Sequence, residues 1–249
     1  MNSTRKPFRV GIIGGMGPLA GVELHRLIIE ATPAAKDQDH VQVMLFTNPA
    51  IPDRTESLSA NDGTAFAEAA GESAQELEKA GADIIVMACM TAHSRLTRIQ
   101  SKTNVHILNG IPLVHTALTM HFPKAKVGLL ATAGSIRSGI YTNNSPRINW
   151  ILPKPETQAL VTDAIYKIKA GHIGIGAKIL QKAIRALKEQ GASVFILGCT
   201  ELGLLYADLQ EQNVAVIDPM RLMANQIVLL NQIANSAQLQ KSANSQIRV

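Results

Sequence analysis

The sequence predicts an α/β fold of two pseudosymmetric lobes, each a parallel sheet flanked by helices, with the active site in the cleft between them. Three observations carry that expectation. Apolar, β-branched runs alternate with stretches of helical spacing along most of the chain, the pattern of parallel sheets covered by helices. The second half reopens like the first, since KVGLLATAGS from Lys126 resembles RVGIIGGMGP from Arg9. Two short stretches, GADIIVMACMT at 81–91 and GASVFILGCT at 191–200, are near copies that each end an apolar strand in a cysteine. These are the two cysteines of the protein.

The elements follow in order. Residues 8–13 (FRVGII) read as a buried strand that enters the glycine loop GGMGPLAG and then a helix, VELHRLIIEA, which stops before Pro33. VQVMLFTN at 41–48 is a second strand, followed by a loop holding Pro49, Pro52, Asp53, Arg54 and Thr55. Residues 64–80 have helical spacing with small alanine faces and lead into the first cysteine strand, after which TAHSRLTRIQSK forms a helix. HILNGI at 106–111 reads as a short strand, and PLVHTALTMHF as a helix begun by Pro112 at a favourable first-turn position.

In the second half a helix through SIRSGIYTN, a strand near 147–152 and helices near 156–170 and 176–190 precede the second cysteine strand. VAVID is the last strand, PMRLMANQIVLLNQIA an amphipathic helix, and the polar tail from Ser236 is expected to fray. The expected division is a first lobe of residues 1–114 plus 218–249, with the C-terminal helix packing back on it, and a second lobe of 115–217.

A chain of 249 residues, 46% of them hydrophobic, buries a sizeable core. The net charge of +5 is scattered, without a long basic run and with 4% aromatics for stacking on bases, which argues against nucleic acid and suits a small anionic substrate. No stretch approaches a membrane span, and the apolar segment before the first glycines is too short for a signal peptide, so a cytoplasmic protein is expected. There, two cysteines without clustered histidines make neither a stable disulfide nor a structural zinc site; they are inert core residues or chemistry.

The repeat favours chemistry. Open α/β sheets bind ligands outside the carboxyl ends of their strands, where both Cys89 and Cys199 fall. Each precedes an expected helix, whose backbone N–H groups favour a thiolate. One thiolate and one thiol on opposite faces of a carbon make a two-base proton exchanger.

The other motifs keep two readings each. Gly15-x-Gly17-x-x-Ala20 meets a loose dinucleotide fingerprint, but Pro18 removes an N–H and Asn48 stands where an acidic residue would end the second strand; the glycines equally let backbone amides approach a carboxylate. Arg54 and Lys169 are anion anchors or solvated charges. Thr91, Thr132, Ser135 and Thr200 donate hydroxyls to a ligand or cap helices. His93 and Glu201, shortly after the cysteines, tune a thiol, or are a first-turn histidine and a helix-dipole carboxylate.

Taken together, GIIGGMGPLAG, NPAIPDRT, CMTAH, LLATAGSIRSGIY, IYKIKAG, GCTEL and VIDPM resemble the aspartate/glutamate racemase family, most closely its pyridoxal-independent, two-cysteine aspartate racemases. The resemblance covers nearly the whole chain. It implies the two-lobed fold, a homodimer, Cys89 and Cys199 as the catalytic pair, Arg54 on the substrate's side-chain carboxylate and Lys169 assisting. It places Met16, Gly17, Asn48, Thr91, Thr132 and Thr200 around the rest of an acidic amino acid, with His93, Ser135 and Glu201 behind them. Met90 stands where the family usually has an Asn that contacts the amino acid, and Gly21 and Ser135 each replace a common Thr.

The expected activity is therefore racemisation of aspartate, with glutamate, a broader substrate range, a maleate or hydantoin isomerase, or a carboxylate-binding protein as alternatives. No pyridoxal phosphate, metal, nucleotide or other cofactor is called for.

Overall fold

Two parallel sheets organise the chain in the computed structural model, which describes residues 8–143 and 145–246. The first has order β2-β1-β3, with β1 (Arg9–Gly14) between β2 (Gln42–Thr47) and β3 (Ile84–Met87). The second has order β5-β4-β6-β7, from β4 (Lys126–Leu130), β5 (Asn149–Ile151), β6 (Val194–Leu197) and β7 (Val216–Ile217). The internal repeat is realised in the pairing: Val10 opposes Ile84 in the first sheet and Val127 opposes Val194 in the second. Each Val-Gly-aliphatic strand thus lies beside the strand that leads to a cysteine.

The helices are α1 (Pro18–Ala31), α2 (Arg54–Asn61), α3 (Thr64–Lys79), α4 (Leu96–Gln100), α5 (Gly110–His121), α6 (Ala133–Ser138), α7 (Pro155–Lys169), α8 (Ile173–Glu189), α9 (Tyr206–Glu211) and α10 (Pro219–Gln246). Strand alternation distributes the core. Val10, Ile12, Val127, Leu129 and Ile196 face one central cluster, with Leu24 of α1, Val114 of α5 and Met223 and Ile227 of α10. Their neighbours face outward: Ile13 and Met87 pack with Phe66 and Ala70 of α3, while Leu130 and Leu197 pack with Ile165 of α7 and Leu180 of α8. A single apolar layer therefore joins the two sheets, and α10 packs along α1 and α5.

Local chemistry moves several boundaries from their expected places. HILNGI forms one bridge, Ile85 to Ile107, because Asn109 caps α5 by accepting the N–H of Ile111, so the helix starts before Pro112. Thr132 caps α6 at Ala133, and Gly139, with φ 64°, ends it, so no helix runs on to residue 143. Residues 91–102 divide into a 3-10 turn at Thr91–Arg95 and α4. The backbone of α10 continues past Ser236 to Gln246 instead of fraying there, consistent with the helix-forming Ala, Gln, Leu and Lys in that segment. Residues 1–7, which belong to the stretch weighed as a signal segment, and 247–249 of the tail lie outside the described residues. Among the described residues no helix is long and apolar enough to cross a membrane.

Candidate active site

The carboxyl ends of β3 and β6 deliver the two cysteines to one place. Cys89 and Cys199 are each 5% exposed and line the same narrow cavity. Its volume is about 40 Å³, room for a few water molecules.

Two cations border that cavity. Arg54 opens α2, whose preceding Asp53 accepts the N–H groups of Thr55 and Glu56. Although buried, its guanidinium donates from Nη1 to the carbonyls of Ile51 at 3.3 Å and Pro52 at 3.0 Å, and from Nη2 to that of Met16 at 2.9 Å. Those bonds occupy three of the five N–H groups of an arginine, leaving two for a ligand carboxylate. Lys169 enters from the last turn of α7, its Nζ 5.5 Å from the centre of the Tyr166 ring. Burial works against its charge, but Glu201 and Cys199 outweigh it and hold the ammonium above the ordinary lysine range.

Hydroxyl groups close the seam between the sheets. Thr91 Oγ1 lies 3.0 Å from both Thr132 Oγ1 and Ser135 Oγ, and Thr132 also accepts the N–H of Ser135 as the α6 cap. Capping and cavity lining therefore coincide in Thr132. Thr200 Oγ1 stands 3.3 Å from the Ala88 carbonyl and 3.3 Å from Glu201 Oε2, with one proton to serve them.

The second thiol departs from the expectation of a helix-stabilised thiolate. Cys199 Sγ donates to Glu201 Oε2 at 2.9 Å, and burial, reinforced by that carboxylate, pushes the thiol well above its usual range, more than Lys169 offsets. The turn that follows, Thr200–Leu205, is a short 3-10 segment. Glu201 Oε1 in turn accepts the backbone N–H of Gly17 at 3.1 Å. A Cβ on Gly17 would stand 3.0 Å from that same oxygen, so a larger residue there would ask the carboxylate to give by a few tenths of an ångström.

On the first half-site His93 Nδ1 is 3.0 Å from the carbonyl of Cys89, so this nitrogen carries the proton and steadies the loop. Burial lowers its pKa and keeps the ring neutral. Met90 borders the cavity but is 1% exposed, and its Cε lies 3.3 Å from where a Cβ on Gly110 would stand, beside Met223 in the central core.

The structure thus gathers Met16, Arg54, Cys89, Thr91, Thr132, Lys169, Cys199, Thr200 and Glu201 around one cavity. Gly17, Asn48, His93 and Ser135 are not among its lining residues. Asn48 instead donates to Ser73 Oγ and accepts the N–H of Ala50, holding the loop after β2. Sequence reasoning missed Thr162, Ile165 and Tyr166, which line the cavity with Lys169. Their spacing marks one face of α7 and was available as a signal.

Among the described residues no group of three or more His, Cys, Asp or Glu is placed to hold a metal ion.

The family model for Asp/Glu/hydantoin racemases matches residues 13–227. Over 229 residues the chain is 26% identical to the broad specificity amino-acid racemase RacX of Bacillus subtilis, covering 88% of this chain and 96% of that one. It is 29% identical over 153 residues to a glutamate racemase of Picosynechococcus, spanning 57% of this chain and about half, 52%, of that protein. Among solved structures, Picrophilus torridus aspartate racemase is similar with a TM-score of 0.81 at 30% identity, over 90% of this chain and 94% of that one.

Proposed function

The chain belongs to the Asp/Glu/hydantoin racemase family and is an isomerase, an amino-acid racemase, and from that premise we propose that it interconverts L- and D-aspartate through Cys89 and Cys199 without a cofactor. The observation that carries the proposal is the arrival of both thiols, one from each sheet, at a single cavity that also holds Arg54 and Lys169. The similarity to the Picrophilus aspartate racemase supports the substrate.

In this reading the substrate's α-carbon lies between the sulfurs. The Cys89 thiolate removes the α-proton on one face, and the Cys199 thiol, held protonated by burial and Glu201, delivers its proton to the other. One proton leaves the carbon and one arrives, so the enzyme ends with Cys89 as thiol and Cys199 as thiolate, ready for the opposite enantiomer. Arg54 takes the side-chain carboxylate through its two remaining N–H groups. Lys169 limits the build-up of negative charge on the α-carboxylate as the carbanion-like transition state forms. Met16 and the hydroxyls of Thr91, Thr132 and Thr200 line the rest of the substrate; Gly17, Asn48, His93 and Ser135 hold the surrounding loops. The same reading keeps residues 1–114 with 218–249 as one lobe, 115–217 as the other, and a cytoplasmic homodimer.

A broader substrate range is the second reading, favoured by the apolar wall of Met16 and Ile165 and by the end-to-end similarity to a broad specificity racemase.

Incubation with L-aspartate in D₂O without added cofactor tests the proposal. Deuterium enters the α-position as chirality is lost, and Cys89→Ser and Cys199→Ser each abolish racemisation. Absence of exchange with aspartate and other acidic amino acids sinks the racemase assignment to this substrate class, and normal racemisation by either single variant sinks the two-base mechanism.

A further inference from the structure

A second groove, of about 400 Å³, opens beside the start of α10 and shares no lining residue with the cysteine cavity. At its wall the guanidinium of Arg221 lies 4.2 Å over the ring of Tyr206. Arg221 is one-third exposed and makes no hydrogen bond among the described residues; its Nε lies 3.9 Å from Asp218 Oδ2, an ion pair beyond hydrogen-bond reach. Asp218, from the VIDPM motif, is 2% exposed, uses Oδ1 to accept the N–H of Met220 and leaves Oδ2 without a partner. Its Nε is buried on the Asp218 side, and the Nη groups of Arg221, which make no hydrogen bond among the described residues, form the part of a fork already stacked on an aromatic face that can meet a carboxylate.

The surroundings define the rest of the ligand. Leu27 of α1, Ala117 of α5 and Phe122 give the groove an apolar floor, with Glu30 and His121 at the rim. Glu30 at the rim opposes a multiply charged anion such as a phosphate monoester, whereas a single carboxylate on an apolar body meets both the guanidinium and the floor. We propose that this groove is a second ligand site, in which Arg221 and the apolar floor bind a small amphipathic monocarboxylate independently of the cysteine cavity. The proposal does not rest on the racemase reading, because no residue of that mechanism takes part.

Hexanoate serves as the probe, titrated by calorimetry into the full chain in the presence of saturating L-aspartate, with the Nε–Hε resonance of Arg221 followed by NMR. Saturable millimolar or tighter binding is expected, with movement of that resonance and no comparable binding of 1-hexanol or hexylammonium. Arg221→Gln weakens binding at least tenfold, and Tyr206→Leu, which leaves the Asp218 to Arg221 pair in place, weakens it to a smaller degree. The proposal is overturned if hexanoate does not saturate, if 1-hexanol binds equally well, if Arg221→Gln binds as the parent does, or if L-aspartate displaces the probe.

Discussion

Cys199 donates its thiol proton to Oε2 of Glu201 across 2.9 Å, and Oε1 of that carboxylate takes the N–H of Gly17 at 3.1 Å. One side chain therefore ties the glycine loop after β1 to the turn after β6 and at the same time sets the protonation of a thiol. The first cysteine has no matching arrangement, since His93 binds its carbonyl. The repeat is symmetric in backbone and asymmetric in proton chemistry.

Replacing Glu201 by Gln keeps an acceptor for Gly17 and removes the charge. In a Cys89→Ser background the Cys199 thiol then titrates lower, because one of the causes that raise it is gone while burial remains. Alkylation by iodoacetamide at mildly alkaline pH becomes faster than in the Glu201 parent. In the two-cysteine protein, racemisation falls by roughly 10²-fold as the donor loses its orientation. An unchanged alkylation rate refutes the role given to the carboxylate.

Arg54→Lys exchanges a fork that reaches three backbone carbonyls for a single ammonium. Urea unfolding is expected to show a loss of about 2–3 kcal/mol as buried acceptors go unpaired. KM for aspartate rises roughly tenfold, the effect of losing one good charged contact. A variant with parental stability and KM contradicts both assignments.

Met90 separates two explanations of its own presence. Its methyl end lies in the central core, so Met90→Leu costs less than about 1.5 kcal/mol, whereas Met90→Asn buries an amide there and costs about 2–4 kcal/mol. Equal stability of the two variants by chemical denaturation refutes the placement of the methyl end in the core.

Asp218 makes stability depend on pH in a direction opposite to an ordinary salt-bridged carboxylate. Burial pushes it up to about 7 from an ordinary 3.8. The folded state thus binds this proton more tightly than the unfolded chain, so its contribution is full below the unfolded value and is lost as pH rises through about 7. A rise of that size corresponds to at most about 4 kcal/mol. Asp218→Asn, which retains an acceptor for Met220, is expected to lack this decline and to exceed the parent in stability at about pH 8. Parallel pH profiles of unfolding free energy for the two proteins refute the assignment.

Much of this molecule is legible from local pattern. The paired GADIIVMAC and GASVFILGC runs announce buried strands because period and β-branching act over a few residues, and the cysteines are placed by the strands they terminate. The Pro-Asp-Arg-Thr turn leaves Arg54 an anion anchor or a solvated charge, and its burial beside the cavity separates the two. Where local pattern misleads, two short-range alternatives compete: Asn109 captures residues expected in a strand, and Gly139 stops a helix expected to continue.

What the sequence determined by itself is the order of strands and helices and the internal repeat, since these follow from side-chain periodicity and turn chemistry, while most of the expected site residues came from the family resemblance. Only the tertiary structure decided that Gly17 meets Glu201 across 184 positions, that Thr91 meets Thr132 and that Met90 joins the core. It also decided the state of Cys199. A thiol's pKa is the balance of its own desolvation against the charges near it, and neither burial depth nor the distance to Glu201 exists until the two sheets have packed on their shared apolar layer.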